Sequence, residues 1–441
     1  MPQATYHFPR GFLWGTASAA HQVEGNNTNN QWWQWEQEGH TDEKSGLACD
    51  WWGGRWREDF DRAAEGGQNA HRFSVEWSRI QPELDRWDED ALDRYRSMLR
   101  GLKERGMTPM ITLHHFSDPL WLYERCGWED DEIVQLFEKF VRKTVEALKE
   151  YVTMWCTINE PNVYTLLGYM SDDFPACNKG AKNAMKVTAN MLRGHAAAYR
   201  AIHEIQPEAR VGYAWAYRPM VAANPWSPLD ALMRKFRYDM VNMTFPSAIS
   251  TGVMRSPIGN KRIPEAKGTQ DYVGLNYYAI ETIKFDITNR AELFTRSYFP
   301  EGTDISDSQY VANTPEGLFQ SIKWAMRTFP NQPILITENG VADADDDMRP
   351  RYLAQHIHQM WRAVNFNWPV KGYFHWSLTD NFEWDRGWSE RFGLWALDPE
   401  TQTRTKRPSA DLYAEICKEN GLSSEMIEKY CPEVTDKLFP V

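Results

Sequence analysis

Eight short apolar runs, rich in β-branched and aromatic residues, recur along the 441-residue chain with longer amphipathic stretches between them. They fall at residues 12–16, 70–75, 108–113, 153–158, 210–214, 272–275, 334–337 and 372–376. The intervening stretches carry helical periodicity. Residues 89–105 place Leu92, Tyr95, Met98, Leu99 and Leu102 on one face and stop at Gly106. Residues 131–149 do the same with Ile133, Leu136, Phe137, Phe140, Val141, Val145 and Leu148, and 187–205 form a third such stretch ended by Pro207. Strand–helix–strand units demand parallel strands with right-handed crossovers, and eight of them close on themselves. An open doubly wound sheet would carry a Gly-rich phosphate turn after its first strand, where this chain has TASAAHQVEG. The fold class is therefore α/β, a single (β/α)₈ TIM barrel with long βα loops forming the mouth. No linker or composition break divides it, so residues 1–441 read as one catalytic barrel. Residues 279–331 fit no strand–helix unit and read as an extended loop over the mouth, with a small hairpin around 281–286.

Composition removes several function classes. A net charge of −12 argues against a nucleic-acid partner, which would need clustered Lys and Arg. No window is apolar for long enough to span a membrane, and the first residues lack the basic and apolar regions of a signal peptide, so a cytoplasmic location is expected. Cys49, Cys126, Cys156, Cys177, Cys417 and Cys431 form no CxxC and no zinc spacing, and read as reduced thiols. The 21 Trp exceed ordinary usage; most should fill the core, but one beside an acidic motif offers a flat platform for a pyranose ring.

Catalytic groups of such barrels sit just past the carboxyl ends of strands. The fourth run ends in Asn159-Glu160-Pro161 and the seventh in Glu338-Asn339-Gly340. Nearly opposite on an eight-strand circle, these two carboxylates face each other across a pocket, the arrangement glycoside cleavage needs. Position alone leaves their roles unassigned. Adjacent His114 and His115 at a strand end point apart, so no metal site is expected.

The motifs FLWGTASAAHQVEG, HRFSVEWSRI, TLHHF, TINEP, GLNYY, ITENG and GYFHWSLTDNFEW, followed by ERFGL, occur in this order. With them the chain resembles glycoside hydrolase family 1, the β-glucosidase family, over nearly its whole length. The resemblance implies a retaining β-glycosidase acting on unphosphorylated β-glucosides, with β-fucosides and β-galactosides as further substrates, and no cofactor. Glu160 would be the general acid/base and Glu338 the nucleophile, their carboxyls about 5–5.5 Å apart. Arg72 and Tyr278 would keep Glu338 ionised; Glu338 in turn would raise the pKa of Glu160. Asn159 would bind the sugar 2-hydroxyl, with Asn276 in the same shell. Gln22, His115, Glu383, Trp384 and Phe392 would contact the sugar, over Trp376 as a stacking floor. Phe116 stands where the family usually has Trp. Glu383 and Glu390 would repel a 6-phosphate, and an intact Glu160 argues against the thioglucosidase branch. The leaving-group side would be built from residues 170–179 and 279–313, and its preference is not legible. A transglycosylating enzyme and a non-catalytic sugar-binding barrel are the alternatives, and a homo-oligomer stays open.

Overall fold

The computed structural model describes residues 4–290 and 292–440. Eight strands form a closed barrel. They are β1 (Leu13–Ala17), β2 (Ala70–Ser74), β3 (Thr108–His114), β4 (Met154–Asn159), β5 (Arg210–Ala216), β6 (Val273–Asn276), β7 (Ile334–Asn339) and β8 (Val370–His375). Each pairs in parallel with its sequence neighbours, and β8 pairs with β1 to close the circle. Each lies within two residues of its predicted run. The strands are buried on both faces, which is why they read as near-continuous apolar runs rather than as alternation.

Helices supply the outer layer. Glu89–Glu104 and Ile133–Leu148 match the predicted stretches and bury the predicted faces, except that Leu136 is only partly buried. Asp88 caps the first by accepting from the Ala91 N–H at 3.0 Å. The helix expected from 187 starts six residues earlier and runs Ala181–Ile205, because its apolar face continues to Ala184.

Residues 279–331 need a correction. The expected hairpin is there: Glu281–Phe285 pairs antiparallel with Thr295–Tyr298, and parallel with Met220–Ala222. The remainder is not all loop. Glu316–Thr328 is a full helix that buries Leu318, Ser321, Ile322 and Ala325. It is the crossover between β6 and β7, which a parallel barrel requires.

One cluster of buried apolar side chains runs from Phe8 to Phe439. Of the 21 Trp, 13 are buried within it, Trp14, Trp32, Trp51, Trp77, Trp128, Trp155 and Trp215 completely, so most Trp serve packing as expected. Thr5–His7 pairs with Gly421–Ser423 in a small separate sheet. Among the described residues no helix is long and apolar enough to cross a membrane.

Candidate active site

The register of the barrel breaks where the site is built. Pairing slips between Cys156 and Asn159 of β4, between Leu275 and Asn276 of β6, and between Ile336 and Asn339 of β7. An irregular pairing at a strand end re-aims side chains that would otherwise alternate in and out. Asn159, Glu160, Asn276 and Glu338 all sit at these slips. Gly340 lets β7 close against β8, since a Cβ there would lie 1.9 Å from the Trp376 carbonyl oxygen.

Glu160 follows β4 with φ 41° and ψ 59°, a left-handed backbone, and precedes helix Pro161–Tyr169. Pro161 at the first helical position gives up no needed N–H. The Glu160 amide donates to the Ala214 carbonyl at 2.9 Å, and Asn162 Nδ2 donates to the Ala216 carbonyl at 2.8 Å, which fixes the turn to β5.

Glu338 is held from two sides. Arg72 Nη1 donates to Oε1 at 2.6 Å and the Tyr278 hydroxyl to Oε2 at 2.8 Å. Arg72, 1 % exposed, spends its other donors on Asn159 Oδ1 (2.6 Å), Thr112 Oγ1 (3.1 Å) and the Thr337 carbonyl (3.1 Å). Among the described residues no cation is in such contact with Glu160. Its Oε1 accepts from Asn276 Nδ2 at 2.8 Å, and Asn276 Oδ1 accepts from Thr337 Oγ1 at 2.6 Å.

The electrostatics follow from this asymmetry. Burial pushes the Glu160 carboxyl up to about 8, with the Glu338 charge a second cause, while Asn276 and the more distant Arg218 and Arg72 oppose it. The expected contribution of Glu338 is present, and burial, which the sequence did not show, exceeds it. Burial also lifts Glu338 above its ordinary value, but Arg72 and Tyr278 pull it back. The hydrogen bonds from Arg72 and Tyr278 thus favour the ionised form on Glu338 more than anything in contact does on Glu160.

His115 is held neutral far below the ordinary histidine range, by burial and then by the Arg72 charge. Its Nε2 lies 2.9 Å from Asn159 Nδ2, which as an N–H donor requires the ring proton on Nδ1. That Nδ1 and Gln22 Oε1 are buried with no hydrogen-bond partner among the described residues. His114 turns away to Asp118, 3.1 Å off, so the two adjacent rings do point apart.

A cavity of about 250 Å³ opens over these groups. Nine predicted site residues line it: Glu160, Glu338, Asn276, Tyr278, His115, Trp376, Glu383, Trp384 and Phe392. Arg72, Asn159 and Gln22 stand behind the lining. Gln22 Nε2 donates to Asn381 Oδ1, the Phe382 carbonyl and Glu383 Oε2 at 2.8–3.1 Å, so it holds Glu383 in place. Burial, and then the charges of Asp385, Glu338 and Glu390, push the Glu383 carboxyl well above the usual carboxylate range. Glu390 lies outside the lining.

The segments expected on the leaving-group side, 170–179 and 279–313, supply Phe174, Glu281 and Tyr310 to the lining, whereas sequence reasoning missed Tyr217 and Arg218. Arg218 Nη1 donates to Glu281 Oε1 at 2.8 Å. Arg218 lies two residues past β5 but four past the run 210–214 as read from sequence, so a search just beyond each run passed it by. Phe174 packs on Trp32, Phe116 and Trp384, with ring centroids 4.7, 5.2 and 6.1 Å away, and so helps to fill the side where Phe116 replaces a larger ring.

Comparisons with known proteins agree with this geometry. A family model described as glycosyl hydrolase family 1 matches residues 4–422. A 1,4-beta-D-glucan glucohydrolase of Thermotoga neapolitana is 32 % identical over 450 residues, covering 94 % of this chain and 99 % of that relative. The solved beta-glycosidase from Pyrococcus horikoshii superposes with a TM-score of 0.90 at 34 % identity, over 97 % of this chain and 98 % of that one. The Thermotoga maritima beta-glucosidase in complex with glucoimidazole gives a TM-score of 0.87 at 30 % identity, over 95 % of this chain and 100 % of that one.

Proposed function

The chain belongs to glycosyl hydrolase family 1 and is a β-glucosidase-type hydrolase of unphosphorylated β-glycosides, and on that premise we propose how its residues divide the work. We read it as a retaining enzyme with Glu160 as acid/base and Glu338 as nucleophile. The observation that carries this assignment is the unequal surroundings of the two carboxyls: Arg72 and Tyr278 on Glu338, an amide alone on Glu160.

Glu338 attacks the anomeric carbon as Glu160 gives its proton to the departing glycosidic oxygen. This leaves a glycosyl ester on Glu338 and an ionised Glu160. A water then loses its proton to Glu160 and attacks the same carbon, and the Glu338 carboxylate departs. Esterification removes the Glu338 charge and lowers the Glu160 pKa for the second step. Because burial is the larger cause, the drop is partial, and Glu160 stays a stronger base than an exposed carboxylate.

Trp376 and Trp384 offer ring faces to the sugar, and His115 Nδ1–H and Gln22 Oε1 are buried donor and acceptor sites for its hydroxyls. Glu383, whose carboxyl is pushed well above the usual range, adds a further polar contact. It selects hydroxyl pairs by hydrogen bonding, and it offers a phosphate no positive partner. We take the whole chain as one catalytic unit, since its buried cluster is unbroken, and we place it in the cytoplasm on its six free thiols.

Product stereochemistry tests the reading. Hydrolysis of an aryl β-glucoside followed by proton NMR should release the β-anomer first. Initial release of the α-anomer would overturn retention. Assays with an added sugar acceptor measure the share of transfer over hydrolysis.

A further inference from the structure

Two of the six cysteines meet a carboxylate outside the catalytic pocket. Cys126 precedes the short helix Gly127–Glu129 and Glu129 is its last residue, while Cys177 lies on the segment between helices Pro161–Tyr169 and Ala181–Ile205. The Sγ atoms of Cys126 and Cys177 and a carboxylate oxygen of Glu129 all lie within 4.8 Å of one another. We propose that Cys126, Cys177 and Glu129 are the protein ligands of a zinc-class divalent cation that ties these two segments together.

The donor set and its surroundings point to a cation. Glu129 is partly buried, and among the described residues no Lys or Arg lies within ion-pair distance of it. Its carboxylate is instead oriented by Asn178, whose backbone N–H and Nδ2 donate to Oε1 and Oε2, each at 2.9 Å. One lone pair on each oxygen is left over. Asn178 Nδ2 also lies 3.8 Å from Cys126 Sγ, so one side chain buttresses two of the three donors, as second residues behind metal ligands do. Cys177 Sγ points to the Tyr123 carbonyl at 3.3 Å.

Three ionisable groups that are negative when deprotonated therefore converge, and among the described residues the carboxylate has no ion-pair partner. Around a tetrahedral zinc the donor atoms stand about 3.3–3.8 Å apart, given Zn–S of about 2.3 Å and Zn–O of about 2.0–2.2 Å. A small closure of the present cluster reaches that geometry. Two thiolates with one carboxylate select zinc over calcium or magnesium, which prefer all-oxygen shells. Each thiol gives up one proton on binding, and water completes the fourth position. Phe174, three residues before Cys177, packs on Trp32, Phe116 and Trp384, so the cation would anchor the segment that closes one side of the pocket.

Titration of the chelator-stripped, reduced, full-length protein with zinc, against a chromophoric chelator, tests this. One zinc per chain with release of two protons is expected. Cobalt(II) in its place should give the intense visible bands of a tetrahedral thiolate complex. Cys126→Ser/Cys177→Ser should abolish both signals. Asn178→Ala keeps all three donors and should weaken binding by about tenfold to a hundredfold; it also keeps the test decisive should the double variant fail to fold. Three results would each overturn the proposal: no binding at micromolar free zinc, equal binding by the double-serine variant, or peptide mapping that finds Cys126 and Cys177 joined as a disulfide in the freshly purified protein.

Discussion

The floor of the pocket and its leaving-group wall are made differently. On the floor, Arg72, Asn159, Asn276, Glu338, His115 and Thr337 come from six positions on five strands or their ends and are linked by hydrogen bonds of 2.6–3.2 Å. Almost every donor there is spoken for, and the groups sit where barrel register breaks. The wall is held more sparsely. Phe174, Tyr217, Arg218, Glu281 and Tyr310 come from connecting segments, and the Arg218–Glu281 ion pair joins the side chains of two of them. A group whose position decides a bond-breaking step is fixed by many neighbours. A group that meets variable leaving groups is fixed by few.

Substitutions can set these two regions against each other. Glu338→Gly should lower turnover on an aryl β-glucoside by about ten-thousandfold or more, and azide should restore part of it with an α-glycosyl azide as product. Retained turnover would remove the floor from the chemistry. Glu160→Ala should cost about a hundredfold to ten-thousandfold on poor leaving groups, with azide now giving the β-product. The same variant tests the pH dependence. Glu160 must start protonated, so wild-type kcat/KM should fall as pH rises through about 8, and that limb should vanish with the side chain. An unchanged alkaline limb would mean another group supplies the proton.

Tyr278→Phe removes one hydrogen bond to an ionised Glu338. A loss of about tenfold to a hundredfold in kcat is expected, with the acid limb moved upward because Glu338 is held less firmly. Arg218→Gln probes the wall and should have the smallest effect. We expect KM changes of about twofold to tenfold that differ among leaving groups, while affinity for a glucose-mimicking inhibitor stays put. An inhibitor constant that moved as far as KM would erase the distinction between wall and floor.

The floor was readable residue by residue and the wall only as two segments, 170–179 and 279–313, for a physical reason. Glu160, Glu338 and Asn276 follow apolar runs whose order fixes their places on the circle, so the one-dimensional pattern carries the three-dimensional neighbourhood. Arg218 and Glu281 meet across 63 residues through a pairing of Met220–Ala222 with Glu281–Phe285 that no periodicity announces. The helix Glu316–Thr328 escaped because the irregular segment before it masked its apolar face, although Leu318, Ile322 and Ala325 keep helical spacing. Cys126 and Cys177 lie 51 residues apart in sequence, and only the fold shows that they meet.

The backbone at Glu160 carries a cost of its own. A φ of 41° is comfortable for Gly or Asn and adverse for Glu by about 1 kcal/mol or more, and the same residue keeps a carboxyl out of water. Selection for folding alone would replace it. Catalysis and durability therefore pull against each other at this one position, and an inactive Glu160→Asn protein should melt at a higher temperature than the active enzyme. The gain should widen as pH rises from about 4.5 toward 8: unfolding lets Glu160 release its proton over that range, which penalises only the native enzyme that has the glutamate.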